Sequence, residues 1–120
     1  MEVIKPFVAV SDYRGSIDEV VKGRLWKQLN YVRTNQGAIR GNHFHKILSE
    51  LHYVVSGEIR VHIRDLRTNE EATYHLGEGS CFIVEPHEYH TLEHLTDTEY
   101  VVLFSEEFNP EQPDIHKNED

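Results

Sequence analysis

Between Gly37 and Gly57 the chain reads GAIRGNHFHKILSELHYVVSG, with histidines at 43 and 45, a glutamate at 50 and a glycine at each end. Side chains at i and i+2 of a strand share a face, so His43 and His45 can aim at one point inside a sheet. Glu50 has the opposite parity, and Lys46 to Ser49 must turn or bulge before its carboxylate can face that point. A fourth donor, His90, comes much later, in EPHEYHTLEH. Three imidazoles and a carboxylate suit one divalent ion of Zn, Fe, Mn, Ni or Co, and the donor set alone does not choose among them. His52 shares the parity of Glu50, and His94 that of His90, so both are candidates for proton transfer beside such an ion.

These residues need short strands to hold them, and the chain is patterned accordingly. IKPFVAV, up to Val10, is rich in β-formers and carries Pro6, which suits an edge strand or an arm. Ser11 to Ser16 reads as a turn. Leu25 to Thr34 alternates with neither face cleanly apolar, as a strand lining a polar pocket would. Ile59, Val61 and Ile63 alternate with Glu58, Arg60, His62 and Arg64, giving one core face and one wet face. A turn at Leu66 to Glu71 leads into a return strand, Ala72 to Leu76. Ser80 to Val84 is a buried strand, Pro86 to Glu88 a turn that delivers His90, and Tyr100 to Phe104 a last apolar strand. About ten short strands without a helical period predict an all-β, antiparallel jelly roll closed into a barrel. Residues 1–105 form that single domain with an N-terminal strand or arm. Residues 106–120, acidic and with two prolines, read as a mobile or loosely draped tail.

The 120 residues carry a net charge of −9, unevenly spread. Residues 1–46 hold eight Lys or Arg against four Asp or Glu, and residues 47–120 hold four against seventeen. The acidity argues against nucleic acid and anionic membrane as partners, since both need a basic face. The N-terminal third can still receive a small anion. A single cysteine, Cys81, excludes an intramolecular disulfide framework, and no apolar run approaches 18 residues, so a cytoplasmic protein is expected.

The spaced set Gly37, His43, His45, Glu50 and Gly57 resembles the first sequence motif of the cupins. Gly79, then Glu85-Pro86-His87-Glu88-Tyr89-His90, resembles the second, with His87 where those proteins usually have glycine. Asp12-Tyr13-Arg14-Gly15-Ser16-Ile17-Asp18-Glu19, Gln28-Leu29-Asn30 and Arg40-Gly41-Asn42-His43 resemble segments of the nucleotide-sugar 3,5-epimerases of the rhamnose pathway. A closer resemblance is to the metal-carrying C-terminal cupin domain of the capsular epimerase/reductases, which extends to Phe108-Asn109-Pro110 and Pro113-Asp114. The small 3,4-ketoisomerase cupins share less.

The resemblance implies a sugar-nucleotide epimerase, acting at C3 and conceivably C5 of a nucleotide-linked 4-keto-6-deoxyhexose in surface-polysaccharide synthesis. The alternatives are a 3,4-ketoisomerase, a metal-dependent cupin oxygenase or isomerase of a small metabolite, and a non-catalytic ligand-binding cupin. Arg14, Glu19, Gln28, Asn30 and Arg40 are then the substrate-binding candidates. Arg14 and Arg40 would hold the pyrophosphate, because Arg60 and Arg64 fall on the outer strand face and Arg67 in a turn. A 4-keto group acidifies the neighbouring C3 hydrogen, so the reaction needs a base, an enolate stabiliser and a proton donor. His43 would serve either as ligand or as base, not both. His52 and His94 remain as proton-transfer groups, with Tyr89 or Tyr100 as the acid. The resembled families are dimers, and the N-terminal strand is expected to join a neighbouring subunit's sheet in a homodimer.

Overall fold

A computed structural model describes residues 1–117. Its eleven strands are β1 (Glu2–Ile4), β2 (Phe7–Asp12), β3 (Gly15–Glu19), β4 (Gln28–Thr34), β5 (Ile39–His43), β6 (Glu50–Ser56), β7 (Ile59–Asp65), β8 (Glu71–Leu76), β9 (Cys81–Val84), β10 (Glu88–His94) and β11 (Thr98–Phe104). Every pairing between them is antiparallel. One sheet runs β1-β9-β6-β11-β4, the facing one β5-β10-β7-β8, and β2-β3 stands apart as a hairpin. No helix long and apolar enough to cross a membrane occurs among the described residues.

Strand alternation builds the core between the two large sheets. Ile59, Val61 and Ile63 of β7 point inward against Val54 of β6, Phe82 and Val84 of β9, Leu92 of β10, and Tyr100 and Val102 of β11. A second cluster, Leu51, Cys81 and Ile83, lies on the other face of β6 and β9, beneath Ile4, Val20, Val21 and Trp26. The chain between β3 and β4 thus covers the back of the five-stranded sheet, and the start of β6, Glu50 to His52, is buried on both faces. Cys81 is buried filler, as its surroundings predict.

The N-terminal strand differs from expectation. It divides at Pro6, whose missing N–H interrupts a ladder. Residues 2–4 pair with β9 of their own chain, Glu2 opposite Ile83 and Ile4 opposite Cys81, and so cover an edge that would otherwise be open. The turn expected at Ser11 to Ser16 is the tip of the β2-β3 hairpin, whose returning strand depends on its partner rather than on its own composition. Phe7, Val8, Val10, Tyr13 and Ile17 of this hairpin are exposed. The C-terminal segment also departs from a loose drape. Phe44 and His116 form a two-way backbone bridge, and Phe108 N–H donates to the Gln28 side chain.

Phe82 sits at the centre of the inner core, fully buried, with the His52 ring stacked on it at 4.6 Å and an interplanar angle of 4°. Phe82→Ala should therefore cost about 3–5 kcal/mol of stability. Denaturant unfolding checks this, and a loss below about 1 kcal/mol would mean that the inner core closes over the missing ring.

Candidate metal centre and the chamber beside it

His43 ends β5 and lies opposite His90 of β10. The register slips there, so that Thr91 faces Gly41 and Asn42 is the extra residue of a bulge. Gly41 and Asn42 both have positive φ, 89° and 58°. A Cβ on Gly41 would fall 2.6 Å from the His90 carbonyl oxygen, so only glycine lets the two strands close at this point. Beyond His43 the chain leaves the sheet, bends at Lys46 and Ile47, and re-enters as β6 at Glu50, the turn that the opposite parity demanded. In β10, Glu88, His90, Leu92 and His94 point inward. The turn before them keeps the left-handed backbone although glycine is absent, since His87 itself has φ of 66°.

One ligand atom from each of His43, His45, Glu50 and His90 lies within 4.8 Å of the others. The His43 ring is 4.9 Å from that of His45 and 4.7 Å from that of His90, both edge-on. Second partners orient two of the rings. His45 Nδ1–H donates to the Asp114 carbonyl at 2.6 Å, and His90 Nδ1–H to the Glu88 carbonyl at 3.0 Å. A carbonyl only accepts, so both protons sit on Nδ1 and both Nε2 lone pairs are free.

His45 Nε2 is 2.8 Å from Glu50 Oε1, yet the approach lacks hydrogen-bond geometry and this buried nitrogen has no hydrogen-bond partner. Such a nitrogen costs free energy unless something else satisfies it. A lone pair and a carboxylate oxygen that converge without bonding each other suit a common third atom. The residues therefore fit a divalent ion, held by His43, His45, Glu50 and His90.

The electrostatics keep Glu50 charged and favour the neutral imidazoles of His43, His52 and His90. Burial works against ionised Glu50, but contact with His45 and the neighbouring His52 and His90 bring it down to about 2. Burial pushes His52 and His90 down to about 4 each, and burial with the adjacent His45 lowers His43. Burial also opposes the charged form of His45, but Glu50 and the Asp114 carbonyl more than reverse this.

Two cavities meet at the cluster. One, of about 410 Å³, lies beneath residues 106–115 and is lined by His43, His45 and Glu50 with Ile47, Phe108 and Ile115 among others. The second, of about 230 Å³, includes His43, Glu50 and His90 together with Asn30, Arg40, His52 and Tyr100. Tyr100 O–H donates at 3.1 Å to Nε2 of His94, whose Nδ1–H is committed to the Ala38 carbonyl at 2.8 Å. Arg40 is tethered through Nε to Thr34 Oγ1 at 2.7 Å. His52 Nδ1 is buried without a partner, and its Nε2 is 3.5 Å from Glu50 Oε2.

Other candidates lie elsewhere. Tyr89, paired with Tyr100 as a possible acid, faces outward beneath the Arg64 guanidinium, 5.7 Å from its ring centre. The parity that turns His90 inward excludes it from the chamber. Arg14 is exposed at the hairpin tip and bonded to Asp12, and Glu19 is paired with Lys22; neither lines the two cavities. Gln28 stands at the edge, donating to Asn30 Oδ1 at 3.2 Å. Asp114, noted in the sequence only as part of the Pro113-Asp114 resemblance, is a participant to which no role was assigned there. Its position after Pro113 and its acceptor-only carboxylate were a signal for capping backbone N–H groups.

Among curated proteins none matches the chain. Among solved structures it is similar to the capsular polysaccharide assembling protein CapF of Staphylococcus aureus, with TM-score 0.70 and 27% identity over 92% of this chain and 33% of that one. It thus spans about a third of CapF. The sugar 3,4-ketoisomerase QdtA of Thermoanaerobacterium thermosaccharolyticum gives TM-score 0.77 and 21% identity over 98% of this chain and 88% of that one. The dTDP-4-dehydrorhamnose 3,5-epimerase of Sulfolobus tokodaii gives 0.76 and 22%, over 92% and 73%. These two likenesses speak for a shared cupin-type jelly roll. Residues 10–116 match the model of the polysaccharide biosynthesis C-terminal domain, and the chain belongs to that family.

Proposed function

We propose that this chain is a metal-dependent, cytoplasmic sugar-nucleotide 3-epimerase that acts on a nucleotide-linked 4-keto-6-deoxyhexose in surface-polysaccharide synthesis. The observation that carries this reading is one chamber lined by three members of the four-donor cluster, His43, Glu50 and His90, together with a tethered guanidinium and a phenol bonded to an imidazole. A bound divalent ion would act as Lewis acid toward the 4-keto oxygen. His43 is assigned to that ion and is therefore not the base.

The chain's own groups handle the protons and the anion. Removing the C3 proton sends its electron pair toward O4, and reprotonation from the opposite face inverts C3 with no net change in composition. Tyr100 and His94 form one proton relay, because the phenolic proton already points at the His94 lone pair. His52, with its free Nδ1, serves the second transfer. Arg40 and Asn30 are the donors for the pyrophosphate. Arg14 would join them only from a second copy, and the exposed apolar residues of the β2-β3 hairpin support a homodimer.

Incubation with such a sugar nucleotide in deuterated water should wash deuterium into C3. Tyr100→Phe should slow this about 10²- to 10⁴-fold while metal content stays unchanged. A product carbonyl at C3 would indicate a 3,4-ketoisomerase instead, and no exchange with any nucleotide-linked 4-keto-6-deoxyhexose would overturn the enzymatic reading. Assembly is checked separately by light scattering. The wild type should have the mass of two chains, and a Phe7→Asp, Ile17→Asp double variant that of one; a wild type with the mass of one chain at micromolar concentration would remove the dimer.

A further inference from the structure

The loop between the second and third metal-binding candidates, Lys46 to Ser49, makes none of its own backbone ladder. The Lys46 N–H donates to Asp114 Oδ1 at 2.9 Å, and the Ile47 and Leu48 N–H groups donate to Oδ2 at 2.8 and 2.9 Å. Ser49 N–H donates to Ser105 Oγ at 2.8 Å, while Ser105 N–H returns a bond to the Ser49 carbonyl at 3.0 Å. All four amides of the loop are thus satisfied by the chain that follows β11. The same Asp114 accepts His45 Nδ1–H through its main-chain carbonyl, and its Oδ1 also meets His116 Nε2 at 2.9 Å. His116 in turn is bridged to Phe44, the residue between His43 and His45.

We infer that Asp114 is the positioning residue of the metal centre: its carboxylate shapes the 46–49 loop that sets His45 against Glu50, and its carbonyl fixes the His45 ring. The C-terminal segment is then a working part of the site and not an appendage. The physical argument is one of entropy and tautomer. Four loop residues without internal hydrogen bonds would sample many conformations, and His45 and Glu50 would meet in the binding geometry only part of the time. A carboxylate that takes three backbone N–H groups at once removes that freedom. The fourth contact of that carboxylate, with His116 Nε2, ties it to the strand-like bridge at Phe44 as well. The carbonyl contact, moreover, pins the proton of His45 to Nδ1 and leaves Nε2 as the donor.

This inference rests on the cluster holding a divalent ion and is independent of the sugar substrate. The test uses the full chain, stripped of metal, and titrates Co²⁺ with its visible absorption as readout and Zn²⁺ against a chromophoric chelator. The wild type is measured first, with His45→Ala as the ligand-loss control. A wild type that binds neither ion would sink the metal reading itself.

Given a binding wild type, Asp114→Ala should weaken both ions about 10- to 100-fold and alter the Co²⁺ absorption band. Asp114→Asn keeps one acceptor oxygen but turns N–H groups toward the loop amides, and should fall between the two. Affinity and spectrum within twofold of wild type, with only the melting temperature of the metal-free protein lowered, would make Asp114 a structural pin and overturn the proposal. Should Asp114→Ala fail to fold, Asp114→Asn carries the test by the same criteria. Lys27→Ala, which cuts the exposed Lys27–Glu106 pair at the other end of the segment, should leave metal binding unchanged.

Discussion

An ionised carboxylate buried between two sheets is the constraint that the site depends on. Glu50 is 8% exposed, and a carboxylate so placed is costly unless charge or hydrogen bonds compensate it. No lysine or arginine is among the groups that stabilise its charge; those are the imidazoles of His45, His52 and His90. Neutral imidazoles compensate weakly, and protonated ones are themselves penalised by burial, so the cluster in isolation is poorly balanced. A divalent cation held by His43, His45, Glu50 and His90 would resolve the mismatch.

The fold accommodates this by dividing its interior along the strands. On β6 the inward series runs Glu50, His52, Val54, and on β10 it runs Glu88, His90, Leu92, His94. Apolar packing from Val54, Ile59, Val61 and Phe82 provides the burial that holds the sheets together, and the polar series occupies what the apolar residues leave. His52 belongs to both parts, with one face on Phe82 and its edge toward Glu50. Rigid packing on one side thereby aims polar groups on the other.

Much of this was legible in the sequence, for a physical reason. The period of two in strands converts spacing into direction, so the convergence of His43, His45, Glu50 and His90 and the alternation of β7 could be read directly, and so could the turn forced between His45 and Glu50. Tyr89 was equally decidable, since one parity cannot point both it and His90 inward. What could not be read were features set by partners distant in sequence. The Asn42 bulge exists because β5 must fit β10, and β3 is a strand because β2 lies beside it. Residues 106–117 look like a solvated tail by composition, and their order comes from single contacts such as Asp114 with the 46–48 amides; a capping carboxylate is legible at Asp114, but not which distant amides it caps.

Charge placement also bears on how an anionic substrate would approach. The cavity beneath the C-terminal segment has Glu106, Glu107, Asp114 and Glu50 among its lining residues and no lysine or arginine. The chamber on the other side of the cluster has Arg40, whose charge favours the deprotonated form of Tyr100 against its burial and, in the same direction as burial, the neutral form of His94. In a molecule of net charge −9, a pyrophosphate is repelled from the first opening and attracted to the second. The sugar end of such a ligand would then reach His43, Glu50 and His90 from the side where Tyr100 lies. On the proposed reading Arg40 would have two roles that follow from one position: selecting the side of entry, and easing proton release from Tyr100.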